Sequence, residues 1–295
     1  MSGEYAIINL GDLSRPATVL IEKISDAVGG VFRPFQIVRV AKAEAEAERI
    51  HADSQIQISD LQRRAFYRWL DEETRKQRNI EGITGQALPQ LNDKSQPEKL
   101  QDDWIVHFFD KCRLVSDSQM QQLWARVLAG EANVPGSYSK RTIDFLSSLD
   151  KADAELFIGL LTFGWSIGFT IPLIYNTVDP IYAKHRIYFG DLCHLQSIGL
   201  IQFNQVTGYL RQGLPQKCTV FYYGRPLEIE FKGEADNKME IGQVLLSKIG
   251  EQLAPICGSQ QDPEFYTYVV SKWTQLGYIK ESKTDQGPGD GAPTT

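Results

Sequence analysis

The chain has 295 residues, 42% of them hydrophobic and 23% charged. That composition describes a folded globular chain with room for two modest domains, and it excludes a chain disordered throughout. A formal net charge of −6 argues against a general nucleic-acid binder, and four widely spaced cysteines (Cys112, Cys193, Cys218, Cys257) exclude a CxxC zinc site or a dense disulfide framework, so they read as free thiols of a reducing cytosol.

The opening Met1-Ser2-Gly3-Glu4-Tyr5-Ala6 lacks the basic and apolar regions of a secretory signal. A first helix is predicted over Leu13–Val28. Ser14 is its N-cap, and Pro16 sits in the first turn, where a missing N–H is harmless. Val19, Leu20, Ile24 and Val28 follow helical spacing and form an apolar face for a partner or a membrane surface. Only Arg15 and Lys23 are basic here, so attraction to anionic lipid is weak. Gly29-Gly30 ends this helix and Pro34 opens the next.

From Pro34 to Asn79 there is no interior Gly or Pro. Weakly apolar positions recur at Ala43, Ala47, Ile50, Ser54, Ile58, Leu61 and Ala65, an 11-residue repeat close to the natural pitch of an α-helix. This predicts a long, straight helix of roughly 65–70 Å. Its narrow seam of Ala43, Ala47, Ile50, Ile58, Leu61 and Ala65 suits oligomerisation. Toward its end the helix becomes basic and aromatic, with Arg63, Arg64, Phe66, Tyr67, Arg68, Trp69, Arg75, Lys76 and Arg78. Arg63, Arg64 and Arg68 are candidate phosphate contacts, but Asp71, Glu72 and Glu73 interrupt the patch and favour a salt-bridged face.

Gly82 to Asp93 reads as a loop. Ser95-Gln96-Pro97-Glu98 and Ser116-Asp117-Ser118-Gln119 read as capping boxes. The helices behind them carry Trp104, Ile105, Phe108 and Phe109, then Met120, Leu123, Trp124, Val127 and Leu128, the second ending at Gly130. A further helix opens near Ser139. Close-spaced amphipathic helices of this kind form a bundle. Leu156 to Val178 holds no charge and is long enough to span a bilayer. Gly159, Gly164, Gly168 and Pro172 instead divide it into a buried helix to Trp165 and a strand from Phe169 to Tyr175.

Beyond Tyr188, a short helix over Asp191–Ile198 leads through Gly199-Leu200-Ile201 into a strand. Cys218–Tyr223 and Leu227–Phe231 read as strands joined by a turn at Gly224-Arg225-Pro226. With the following Leu-x-x-x-Gly-x-x-Leu-x-Pro-Ile turn and helix, this order resembles a winged-helix module. The helix preceding the hairpin carries Asp191 and no Arg or Lys, which suits protein contact better than reading a DNA groove. A last helix covers Pro263–Leu276, and the Gly-, Pro- and Ser-rich tail from Glu281 reads as disordered.

No HExxH, GxSxG, P-loop or strand-bound GxGxxG occurs. Ser137-Tyr138-Ser139-Lys140 matches SxxK without its partner motifs, so its serines read as helix caps. Adjacent Cys193 and His194 point about 100° apart on a helix and cannot pair directly. The residues themselves assign no catalytic group, cofactor site or metal ligand.

Several segments resemble a bacterial domain-of-unknown-function family, the 2806 family. They are Asn9–Ala17, the Val40–Ala47 run, Leu123-Trp124-Ala125-Arg126-Val127-Leu128-Ala129-Gly130-Glu131, Pro135–Thr142 and Ile249–Cys257. The Leu123–Ala129 helix, followed by a winged-helix-like end, is also distantly similar to alpha-type abortive-infection proteins. That likeness implies bacterial antiphage defence, often with membrane involvement.

The expected fold is mainly α. An amphipathic helix (residues 1–33), a long oligomerisation helix (34–80) and a helical bundle (95–165) precede a winged-helix-like α+β module (166–280) and a disordered tail (281–295). The expected function is a non-enzymatic antiphage defence protein that forms homo-oligomers and acts on a membrane or a phage component, in the cytoplasm or at the inner face of a membrane. Its expected partners are further copies, a second defence protein or a phage component. A soluble interaction scaffold is the alternative, and a nucleic-acid binder is the third reading.

Overall fold

In the computed structural model the chain divides after Lys151 into two units, residues 1–151 and 152–295. The structure describes residues 13–29 and 60–279. The seam positions Ala43, Ala47, Ile50 and Ile58, the run from Pro34 and the tail from Glu281 therefore lie outside the described residues.

In the first unit, α1 (Arg15–Val28) starts where sequence places it, with the Ser14 hydroxyl accepting from the Ala17 N–H. Its apolar face is occupied. Leu20 and Ile24 are fully buried, and the helix packs on α3 (Asp102–Cys112). Lys23 pairs with Asp102 at 2.7 Å across the same contact. Of the four residues proposed as a membrane or partner face, Leu20 and Ile24 are thus core, while Val19 and Val28 are half-buried.

The long helix α2 spans Asp60–Ala87 as described. It runs through Gly82 and Gly85, so the loop read from Gly82 begins only after Ala87. Packing along α4 (Ser118–Asn133) buries Ile83 and Ala87 and outweighs the weak helix propensity of glycine.

The first expected capping box does not form. Ser95 donates to Asn92 and Asn133, Pro97–Lys99 makes a short 3-10 turn, and α3 starts two residues later. At the second, the cap is Asp117, whose carboxylate accepts from Gln119 and Met120. Gly130 does not end α4. It lies inside the helix because the Tyr138 ring rests on it, and a Cβ there would sit 2.7 Å from that ring. The core gathers Trp104, Phe108 and Trp124, with ring centroids 5.1 and 5.2 Å apart, and α5 (Lys140–Ser147), capped by Ser139, closes on α3.

The second unit begins with α6 (Lys151–Leu161), so the boundary falls ahead of the expected 165/166. The reason is a set of contacts distant in sequence: the Leu161 and Thr162 carbonyls accept from Tyr223 and Tyr222, and Asp153 pairs with His194. The uncharged stretch Leu156–Val178 breaks into α6, β1 (Gly164–Ser166) and β2 (Thr170–Pro172). No helix among the described residues is long and apolar enough to cross a membrane.

Short helices α7 (Pro180–Ala183) and α8 (Phe189–Ser197) lead to β3 (Ile201–Phe203), β4 (Tyr209–Leu214), β5 (Lys217–Tyr222) and β6 (Arg225–Glu230). Then come β7 (Asn237–Gly242), β8 (Val244–Leu246), α9 (Lys248–Leu253) and α10 (Pro263–Gln275). The four-stranded sheet has order β2-β1-β5-β6, and β3 pairs with β8 and β4 with β7, all antiparallel.

The strand after α8 therefore does not join the hairpin read as its neighbour. It pairs with β8, Ile201 opposite Leu246, while the β5–β6 hairpin completes the sheet of β1. The protein is a mainly helical α+β fold.

Trp165 anchors the core of this unit. Its ring packs near-parallel to Tyr222 (5.0 Å) and Tyr266 (5.6 Å), which themselves lie 6.0 Å apart, with Trp273 edge-on at 4.7 Å. The Arg225 guanidinium caps the outer face of Tyr266 at 3.8 Å. Close approach also fixes Gly250: a Cβ there would lie 2.2 Å from the Leu200 carbonyl oxygen.

Candidate functional site

The spacing that carries Leu61 and Ala65 continues along α2 through Trp69, Glu72, Lys76, Asn79, Ile83 and Ala87. These positions lie on one side of a helix that turns 100° per residue. At the C-terminal end this side is sealed: Asn79 donates to the Arg113 carbonyl at 2.9 Å and accepts from Gln121 at 3.1 Å, and Ile83 and Ala87 are fully buried. At the N-terminal end the same side meets solvent, with Leu61 69% and Trp69 55% exposed, and Phe66 and Tyr67 beside them also exposed. The Phe66 and Trp69 rings lie 6.0 Å apart and form one patch. Single exposed apolar residues are ordinary on a protein surface; here the exposed apolar positions continue a seam that is buried further along the helix.

The charges around this stripe are partly committed. Arg63 lies 3.6 Å from Asp60. Lys76 sits between Glu72 (3.0 Å) and Glu73 (2.8 Å), and these bonds raise its pKa and lower that of Glu72. Arg63, Arg64 and Arg68 are all exposed, on the same turns as the aromatic patch. The i,i+3 and i,i+4 pairing expected from Glu72 and Glu73 is present.

The histidines all serve in pairs among the described residues. His107 meets Asp144 at 2.9 Å, His194 meets Asp153 at 2.7 Å, and His185 meets Asp262 at 2.7 Å. The last pair is the most enclosed, with Phe163 edge-on to the imidazole at 5.3 Å. Burial alone would raise the Asp262 carboxyl. The hydrogen bond to His185, the Glu264 N–H and the Lys184 charge outweigh it and hold the group below its usual range. Because Asp262 also caps α10, the pair acts in the fold. Ser137 donates to the Val134 carbonyl and Ser139 caps α5, so the SxxK match is structural. Among the described residues no group of three or more His, Cys, Asp or Glu is placed to hold a metal ion.

A second feature was not visible in sequence. An open cleft of about 420 Å³ lies on the face of the four-stranded sheet opposite Trp165, between that face and the Ala254–Ser259 segment. Thr170 on β2, Ser166 on β1 and Phe221 on β5 are consecutive cross-strand partners and form a row across its floor. Tyr223 closes one end, its hydroxyl donating to the Leu161 carbonyl and meeting Ser259 at 2.6 Å. Tyr223 (φ 49°) and Gly224 (φ 81°) form the two-residue hairpin turn, in a left-handed conformation that normally selects Asn, Asp or Gly at the first position. The sequence pattern places Tyr223 in the strand and the turn at Gly224-Arg225-Pro226; the structure moves the turn to Tyr223-Gly224, with Arg225 and Pro226 paired in β6.

No curated protein and no solved structure matches the chain. The profile of the family described as "Protein of unknown function (DUF2806)" matches residues 63–270. That stretch runs from the exposed turns of α2 into α10 and covers more than two thirds of the 295 residues, so the chain belongs to the DUF2806 family.

Proposed function

We propose that this protein works by association rather than catalysis, as a bacterial antiphage defence protein that engages further copies or a phage component through α2. The observation carrying this reading is the stripe of α2, sealed at Asn79, Ile83 and Ala87 and open at Leu61, Ala65, Phe66 and Trp69. An aromatic, apolar helix face without a covering partner among the described residues suits a helix-on-helix contact. The defence context comes from the likeness of Leu123–Ala129 and its surroundings to alpha-type abortive-infection proteins.

The burial of Leu20 and Ile24 favours the soluble form of this proposal, in which α1 is a packing arm. Action at a membrane would require α1 to leave α3. The succession α8, β3 and β8, with β4 to β7 inserted between the last two, supports a winged-helix-type docking module.

The deciding experiment compares the full chain with the Phe66→Ser, Trp69→Ser double variant. Phe, Trp and Ser have similar helix propensities, so the helix itself is little disturbed. The expected result is loss of higher-order species in light scattering, together with loss of protection in phage plating. Unchanged assembly and protection would refute the proposal. Flotation of the full chain with liposomes would restore the membrane form.

A further inference from the structure

We propose that the cleft on the second unit is a binding site for an uncharged, flat heterocycle, the base of a nucleoside. Three observations carry this, none of which depends on the association reading.

The first is charge. Among the described residues lining the cleft none is ionised at neutral pH: its polar groups are the hydroxyls of Ser166, Thr170, Tyr223 and Ser259. Such a site has nothing to neutralise a phosphate, a carboxylate or an ammonium group. The second is the floor. Phe221, 42% exposed, sits in register with Ser166, which in turn sits opposite Thr170. Strands lie about 4.8 Å apart, so this row places the Phe221 ring and two hydroxyls within about 10 Å, room for a two-ring base together with a hydrogen bond at its edge. A base resting on Phe221 gains stacking, and each hydroxyl can donate or accept toward its mixed polar edge.

The third is size and stiffness. A volume of about 420 Å³ lies in the range of small-molecule sites. The end wall, Tyr223, is held in a left-handed conformation by a hairpin turn and by its bonds to Leu161 and Ser259. A neutral sugar would fit less well, since the lining offers single hydroxyls and no carboxylate or amide to grip paired sugar hydroxyls.

The base can come from a free nucleoside or from single-stranded nucleic acid. The test measures binding of adenosine, adenosine 5′-monophosphate, a short oligoadenylate and a neutral disaccharide to the full chain, by ligand-detected saturation-transfer NMR and titration. Adenosine is expected to bind at least as well as its monophosphate. Phe221→Ala should weaken it about tenfold, and Thr170→Val about threefold, with the variants' melts and far-UV spectra used to confirm that each remains folded. A stronger, equally Phe221-dependent signal from the oligomer assigns the base to nucleic acid; a weaker one assigns it to the free nucleoside. No adenosine binding at millimolar concentration, binding indifferent to Phe221→Ala, or equal binding of the disaccharide would overturn the proposal.

Discussion

Glu131 in the first unit and Asp262 in the second perform the same task by opposite electrostatics. Each buries a carboxylate at a turn that leads into a helix. Glu131, 5% exposed, accepts from the Gly136 and Tyr138 N–H groups at 2.7 and 2.8 Å and folds the turn ahead of α5. Backbone N–H groups of the turn lower its pKa, but burial outweighs them and raises it. Asp262 is equally buried, but His185 and Lys184 face it, and its pKa falls. The comparison teaches that a buried carboxylate fixes a turn in either case, while only the one facing His185 and Lys184 has its pKa lowered.

The two units also differ in how their cores are built. The first stacks helices whose contacts follow helical periodicity. The second closes on Trp165, which gathers rings from β5 and α10 far along the chain. The largest expected effect breaks this second core. Trp165→Ala should destabilise the second unit by about 3–5 kcal/mol, seen as a lowered denaturation midpoint that spares the helical unit. An equal shift of both units would show that they unfold together.

Next in size is Glu131→Gln, which turns an amide N–H₂ toward one of the Gly136 and Tyr138 donors. A loss of about 1–3 kcal/mol is expected in chemical denaturation, confined to the first unit. A neutral result would mean that water replaces the carboxylate.

Proton linkage sharpens the contrast between the two acids. Glu131 has a raised folded-state pKa, so its contribution is fully present below the ordinary 4.5 and is lost as pH rises through the raised value. Asp262 has a lowered one, so its contribution is present above the ordinary 3.8 and is lost as pH falls through the depressed value. In melts against pH, the advantage of the native chain over Glu131→Gln should therefore grow on acidification from neutrality toward 4.5. Its advantage over Asp262→Asn should shrink below 3.8. Parallel trends would remove the distinction drawn between them.

The smallest effect concerns the exposed end of α2. Trp69→Ser should change monomer stability by less than about 0.5 kcal/mol, because the ring is over half exposed. A larger loss in a dilute, monomeric sample would show that the ring is covered within the monomer.

Much of the helical unit was legible from local rules. Ser14 and Ser139 cap the helices they were expected to cap, and Trp104, Phe108 and Trp124 lie on the buried sides of theirs. Where local reading failed, a distant contact had overruled it. Gly82 and Gly130 look like breaks in sequence, yet packing on α4 and the Tyr138 ring keep both inside helices. The hairpin of β5 and β6 was found, but not its place, because pairing with β1 rather than β3 joins segments some fifty residues apart.

The candidate sites divide in the same way. A helix seam is a periodicity, so Leu61 and Ala65 were readable, and only their exposure awaited the fold. The cleft has no periodicity: Thr170, Ser166 and Phe221 become a row only when three strands come into register. Sequence by itself determined most of the helices, the caps at Ser14 and Ser139 and the periodicity of the apolar side of α2, since these depend on neighbours a few residues away. Tertiary structure alone decided which part of that side stays open, which carboxyl pKa rises and which falls, and where an uncharged cleft forms, because burial and cross-strand register are set by residues far apart in the chain.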